Sequence, residues 1–383
     1  MRSAEHHSVK CRYCRSGNGE IVLDLGEQPA CEYFPSVTDR TPDPMAPLRL
    51  WLCTECGLAQ LADDADLPEQ PEGREPDALV RQRRAAVAEV RSAGLLSAGA
   101  TVAEGATPHG GTWLPNLVEE GLRPVTGSDV ADVYVDGVFG MMHAPDQSAA
   151  LDAALARLAP GGLVLFQFHS LAAIVGGQQW NAVRHGHYAY YSTPVIRRML
   201  ADRDLVMTHA WTFPLYGGTV LVAARRSDGA SGGPVVDPSV DSTIAAEIAA
   251  GVLDPVAVGR LQGAVDVSTS ALRQLLATSS NSGQVAYGYS AASRAVALLH
   301  LAGVTSAQLP AVADASPAKH GCRMPGTDIP VVSPAELVAA APDLSILFVP
   351  DLLPEVRAAL PEIEQLGGRW IDPGVSILDQ FAT

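Results

Sequence analysis

At 383 residues the chain has room for two or three domains of ordinary size. Apolar residues make up 47% and charged residues 18%, which supports sizeable cores and argues against bulk disorder. The formal net charge of −16 speaks against nucleic acid, whose phosphates call for a cationic surface, but leaves room for one nucleotide in a local pocket.

The first residues carry no apolar signal region and no long apolar run follows, so neither a signal peptide nor a membrane span is expected and a cytoplasmic location is. In a reducing compartment, paired cysteines point to metal rather than to disulfides. Residues 1–66 read as a zinc-binding module: Cys11 with Cys14 and Cys53 with Cys56 form two C-x2-C knuckles. Together they complete a four-sulfur shell that suits Zn²⁺ and leaves no open position for catalysis. Strand-like runs at 21–25 and 48–52 lie between the knuckles. So small a segment buries little core, and metal binding supplies much of its folding energy, on the order of 10 kcal/mol.

Residues 67–227 read as a truncated α/β domain of Rossmann type. An acidic, proline-rich linker over 63–77 precedes a helix over 78–95. The spacing then predicts a strand at 101–106, a glycine turn and a helix over 112–120, the opening of a doubly wound sheet. Further strands are expected at 131–135, after the Pro160-Gly161-Gly162 turn through 167, and at 205–211 and 219–224, with helices over 145–158 and 192–202. The densest polar cluster runs from Trp180 to Tyr191 and offers Arg184, His185, His187, Tyr188, Tyr190 and Tyr191, with His169 upstream. Imidazoles at the carboxyl end of a strand are natural general bases, because their pKa sits near working pH. The spacing of His185 and His187 also admits a metal, although no carboxylate lies inside the cluster.

Residues 228–277 read as a linker (228–240) followed by helices over 242–250 and 254–277. Residues 278–383 read as a second parallel α/β domain built to bind a nucleotide-linked ligand, which the resemblance described below makes a nucleotide-linked sugar. Its strands are expected at 284–288, 311–314 and 343–349, with helices from 293 through 301 and over 354–366. The turn after Gly288 feeds a helix N-terminus whose free N–H groups can receive phosphate, and Lys319, Arg323 and Thr327 add donors.

The whole chain resembles the zinc-containing deoxysugar C-methyltransferases, which methylate C3 of TDP-linked 4-keto sugars. The likeness runs through both knuckles, the stretch from Gly26 to Phe34, the turn from Gly288 to Arg294, and the segments 314–321 and 325–330. By that resemblance Tyr289, Ser290, Ala291 and Arg294 lie at a sugar-nucleotide pocket and Tyr33 faces substrate. His187 matches the residue that deprotonates the sugar carbon, and His169 one near the enolate oxygen. Arg184, His185 and Tyr190 are further catalytic candidates.

Departures from the family pattern concentrate in its centre. The S-adenosylmethionine strand survives as Glu104, Ala106 and Gly110, with an alanine for its first glycine and His109 for its acid. Residues 121–129 lead almost at once into the next strand, so roughly one βαβ unit with the ribose-binding acid is missing. Arg184 and Gly186 replace a tyrosine and a glutamate, and the motif beginning at Tyr216 lacks its arginine. Proton abstraction next to a ketone needs a base and an oxyanion donor, which His187 with His169 or Arg184 supplies. The reading expected is therefore an enzyme of natural-product biosynthesis working by enolate or other proton-transfer chemistry on a nucleotide-linked keto sugar, without methyl transfer. S-adenosylmethionine-dependent C-methylation and a non-catalytic partner subunit are the alternatives.

Overall fold

The computed structural model describes residues 9–68, 75–108, 110–226 and 233–373. The cysteine knuckles flank an antiparallel pair, β1 (Gly19–Pro29) and β2 (Met45–Cys53), and the second knuckle turns back into β3 (Ala59–Leu61). Leu50, Leu52, Cys53 and Leu58 are fully buried, so the backbone around the sulfurs is held by packing as well as by chelation.

The central part follows as α1 (Asp77–Ser92), β4 (Thr101–Glu104), α2 (Leu114–Glu119), β5 (Arg123–Pro124), β6 (Ala131–Asp136), α3 (Gln147–Ala156) and β7 (Leu158–His169). It continues through α4 (Leu171–Gly176), β8 (Ala189–Tyr190), α5 (Thr193–Ala201), β9 (Leu205–Phe213) and β10 (Thr219–Arg226). Six strands form one sheet in the order β5-β4-β6-β7-β10-β9, the first four parallel and β10 antiparallel to both neighbours. Their continuous apolar sequences fit a sheet covered on both faces. Ala86, Val87, Val90, Trp113 and Leu117 of α1, α2 and the turn before α2 pack on Val133, Val135, Leu163 and Leu165. On the opposite face, α5 buries Val195, Ile196, Met199 and Leu200, positions that share one side of a 3.6-residue period.

Two expectations for this sheet need correction. The second strand is not lost: Arg123–Pro124 pairs in parallel with Thr101 and Val102. Pro124 has no N–H to offer and is tolerated because β5 is the sheet's edge. From there the chain passes directly to β6, so the helix and third strand that would follow are what this sheet lacks among the described residues. The Pro160-Gly161-Gly162 segment is threaded into β7 rather than forming a separate turn, with Gly161 taking φ 70°.

The remainder begins with α6 (Pro238–Ala249) and α7 (Pro255–Asn281) and continues with β11 (Ala286–Tyr289), α8 (Ser293–Ala302), β12 (Val312–Ala313) and β13 (Val331–Val332). It closes with α9 (Pro334–Ala340), β14 (Leu344–Leu347), α10 (Leu353–Ala359), α11 (Glu362–Gln365) and β15 (Arg369–Ile371). These five strands form a wholly parallel sheet, β13-β12-β11-β14-β15. The single helix expected over 354–366 is two, because Pro361 cannot continue α10 and instead caps α11. Helix α7, about 40 Å long, lies along β1 and α8, and one apolar core runs from Leu50 through Phe166 and Val258 to Leu298. Among the described residues, no helix is long and apolar enough to cross a membrane.

Candidate functional site

The sulfurs of Cys11, Cys14, Cys53 and Cys56 all lie within 4.8 Å of one another. Cys11 Sγ is 3.5 Å from Cys56 Sγ, and Cys14 Sγ is 3.7 Å from Cys53 Sγ. A tetrahedron of Zn–S bonds has edges of about 3.8 Å, so the residues fit this ion. The Cys56 thiol donates to Cys11 and holds it down at about 5, while burial pushes Cys14 up to about 11 and the Cys11 sulfur pushes Cys56 higher. Four thiolates so close together require a divalent cation between them. The centre is structural zinc.

What the zinc module positions is the histidine-bearing loop. Strand β8 joins the module's own sheet, pairing Tyr190 with Ala59 and Ala189 with Gln60. The Leu61 N–H donates to the Tyr188 carbonyl (3.1 Å), and the Arg12 guanidinium, from inside the first knuckle, stacks 4.7 Å above the Tyr188 ring. His187 meets the edge of the His143 ring with centroids 4.8 Å apart, and His143 Nδ1–H donates to the Gly186 carbonyl at 2.9 Å. The Tyr190 hydroxyl accepts the Arg184 N–H at 2.9 Å, and burial raises its pKa beyond the ordinary tyrosine range. Arg184 is ion-paired with Glu32 of the zinc module and donates to Ser293 Oγ at 2.9 Å. His185 turns away, with Nε2 3.3 Å from the Pro47 carbonyl, and burial lowers its pKa.

His169 stands apart from this loop, at the end of β7. Burial, reinforced by the charge of Arg294, pulls its pKa down to about 3, so the ring is neutral at any working pH. Tyr216, held at φ 55° in the turn before β10, lies 6.4 Å from it, ring centre to ring centre. The Arg294 guanidinium rests 5.2 Å above the Tyr216 ring. Arg294 lines a cavity of about 270 Å³ with Gln179, Asn181, Phe348 and Asp351. The other turn residues face elsewhere. Tyr289 and Ser290 line a larger cavity, about 780 Å³, at the carboxyl ends of β11, β12 and β14, beside the point between β11 and β14 where the strand order reverses. There the Ala291 N–H donates to Asp314 Oδ2 (2.7 Å), and the Lys319 ammonium donates to the Ala291 carbonyl (2.7 Å). Tyr33 is half-buried near the charge of Arg323.

Known proteins place this architecture. Residues 214–373 match the model of the C-methyltransferase C-terminal domain, and residues 11–70 match that of a "zinc binding domain". C-methyltransferase NovU of Streptomyces niveus is 26% identical over 231 residues, covering 60% of this chain and 54% of NovU. The chain is thus similar to C-methyltransferases in its zinc-binding and C-terminal parts. It spans about half the length of the curated relative it matches. Among solved structures, N-methyltransferase NodS of Bradyrhizobium japonicum WM9, in complex with S-adenosylhomocysteine, superposes with a TM-score of 0.30 at 14% identity, over 39% of this chain and 88% of that one. The 1,6-didemethyltoxoflavin N1-methyltransferase of Burkholderia thailandensis gives 0.26 at 14% identity, over 45% and 96%.

Against the family pattern, the switch point between β4 and β6 is altered in ways that do not fit an adenosyl donor. The Glu104 carboxylate is spent on α2, accepting from Thr112 Oγ1 (2.5 Å) and the Trp113 N–H (2.6 Å). Ala106 presses its carbonyl against the β6 loop: a Cβ built on Gly140 would stand 2.2 Å from that oxygen. The Trp113 ring lies flush on Gly137, where a Cβ would fall 2.3 Å from it. Gly110 is exposed at φ 71°, and His109 lies outside the described residues. The cavity that opens beside Ala106 measures about 200 Å³ and is lined mainly by apolar groups of β6, β7, α3 and α5. Asp136 is its one carboxylate, already accepting from the Gly140 and Met141 N–H groups at 2.7 Å each. Residues that follow β5, Val125 and Thr126, supply no carboxylate for ribose hydroxyls.

Some of the site escaped sequence reasoning. Nothing in the pattern flags His143, Glu32, Gln179 or Asp351, because their roles come from neighbours far away in the chain.

Proposed function

We propose that this protein acts in natural-product biosynthesis on a nucleotide-linked keto sugar, by proton transfer at the carbon next to the ketone and without methyl transfer. His187 takes the proton; the C–H electron pair moves into the carbon–carbon bond, and the carbonyl π pair becomes the enolate oxygen's charge. Return of a proton to carbon gives the epimer or tautomer. The observation that carries this reading is the contrast between a histidine loop secured by the zinc module and a crevice narrowed where Gly140 meets the Ala106 carbonyl. The larger cavity beside Tyr289 and Ser290 has the size for a nucleotide.

Incubation with a TDP-linked 4-keto sugar in heavy water, with and without S-adenosylmethionine, tests it. Deuterium uptake at the α carbon with no gain of a methyl group is expected, and His187→Ala abolishes the uptake. A second reading, S-adenosylmethionine-dependent C-methylation, is favoured by the match of residues 214–373 to the C-methyltransferase domain. Product heavier by one methyl group would establish it and overturn the first.

A further inference from the structure

Proton abstraction next to a ketone places negative charge on the carbonyl oxygen, and a buried cation facing that oxygen accelerates the step. The charge of Arg184 is compensated by Glu32. His169, neutral in its buried position, brings no charge, only a ring nitrogen. Arg294 differs from both. Its guanidinium is enclosed over the Tyr216 ring, and among the described residues no carboxylate lies within 4 Å of it. Two polar atoms of the same corner, His169 Nε2 and Gln179 Oε1, are buried without a well-formed hydrogen bond, although the Gln179 side chain and the Tyr216 backbone both act on the His169 ring. Asp351 and Asp372 also line the Arg294 cavity. Burial raises the pKa of Asp351, and the charge of Arg294 opposes that rise.

An enclosed guanidinium with no carboxylate within 4 Å, its opposing charge being the more distant Asp351, is costly for a folded chain and makes sense where a ligand completes the pairing. We propose that Arg294 is the oxyanion-holding residue of this protein: its guanidinium binds the carbonyl oxygen that becomes the enolate oxygen, with Gln179 and Asn181 receiving neighbouring hydroxyls in the 270 Å³ cavity. The substrate class follows from the lining: planar amides, the Asp351 and Asp372 carboxyls, and the Trp180 and Phe348 rings suit a compact polyhydroxylated ketone rather than a diphosphate. This assignment rests on the proton-transfer reading above for its chemistry, but the placement of the charge can be tested separately.

In the full-length, zinc-loaded protein, Arg294→Met is expected to slow deuterium uptake by a TDP-linked 4-keto sugar by about 10²- to 10³-fold, with Arg294→Lys restoring part of it. Without substrate, the Met variant should melt at the same temperature as the parent or higher, since an unpaired buried charge has been removed. Uptake at the parental rate overturns the proposal, as does a large fall in melting temperature, which would make Arg294 a structural residue. If the parent takes up no deuterium, the keto-sugar reading falls and acetate decides the fate of Arg294. Calorimetric binding of acetate to the parent, weakened at least tenfold in Arg294→Met, upholds the assignment, whereas equal binding or none overturns it.

Discussion

Two buried titratable side chains are pushed in opposite chemical directions by the same cause. Loss of water penalises the ionised form of each, which lowers His169 to about 3 and raises Asp136 to about 6. For Asp136, the unfolded chain releases its proton near 3.8 while the folded chain keeps it to about 6. Its contribution to stability is therefore full below pH 4 and declines as pH rises through 6, by on the order of 3 kcal/mol. For His169, the contribution is full above 6.5 and is lost as pH falls toward 3. Carbon-13 NMR of labelled protein should show the Asp136 carboxyl titrating near 6 and the His169 ring unchanged down to pH 5. A His169 transition near 6.5 would place that ring in water. Neither state was legible in the sequence, where His169 was one imidazole among several and Asp136 a strand residue without distinction. Their protonation depends on what covers them, and no local pattern encodes that.

Elements of two or three residues decide more of this site than the long ones do. The four cysteines could be read directly, because spacing and thiolate chemistry together specify a metal shell. Strands expected at 131–135 and 219–224 were also found, since fully buried strands announce themselves as apolar runs. Strand β8 could not be read: a two-residue ladder has no periodicity, and its partner lies far upstream. Yet it fixes the backbone of Ala189 and Tyr190, two residues beyond His187. Chelation of zinc should accordingly change the His187 ring signal and stop deuterium uptake while the circular dichroism of the central sheet persists. Simultaneous loss of both would mean that metal and core form one cooperative unit. At the switch point, Gly140→Ala forces a methyl group onto the Ala106 carbonyl and should cost about 1–3 kcal/mol in urea unfolding. An unchanged midpoint would mean that the two loops separate easily and that the crevice can open.

For the molecule as a whole, the sheet order bears on whether a methyltransferase-like framework can hold an adenosyl donor. After β5 the described sheet lacks one helix and one strand, and Trp113 and Ala106 pack closely on the loop from Gly137 to Gly140. Calorimetry with S-adenosylmethionine should record no saturable heat at micromolar concentrations, whereas a stoichiometric isotherm would require the loops to part. The missing segment was legible as a shortfall in length, although sequence reasoning put the gap one strand too early because Arg123 and Pro124 look like a turn. Cohesion between the zinc module and the second sheet also depends on one buried contact. Both Arg323 Nη atoms reach Asp43, at 2.7 and 2.6 Å, and both side chains are 9% exposed. Asp43→Ala strands the guanidinium and should lower stability by about 3–5 kcal/mol in chemical denaturation. A loss below 1 kcal/mol would show that the charge finds water.

Because the β3–β8 ladder stitches the histidine loop into a sheet built from the first sixty residues, the parts of this protein cannot be traded independently with those of its relatives. A chimaera that imports a foreign zinc module will carry a working loop only if both sides of that ladder, with Arg12 and Tyr188, come from the same parent.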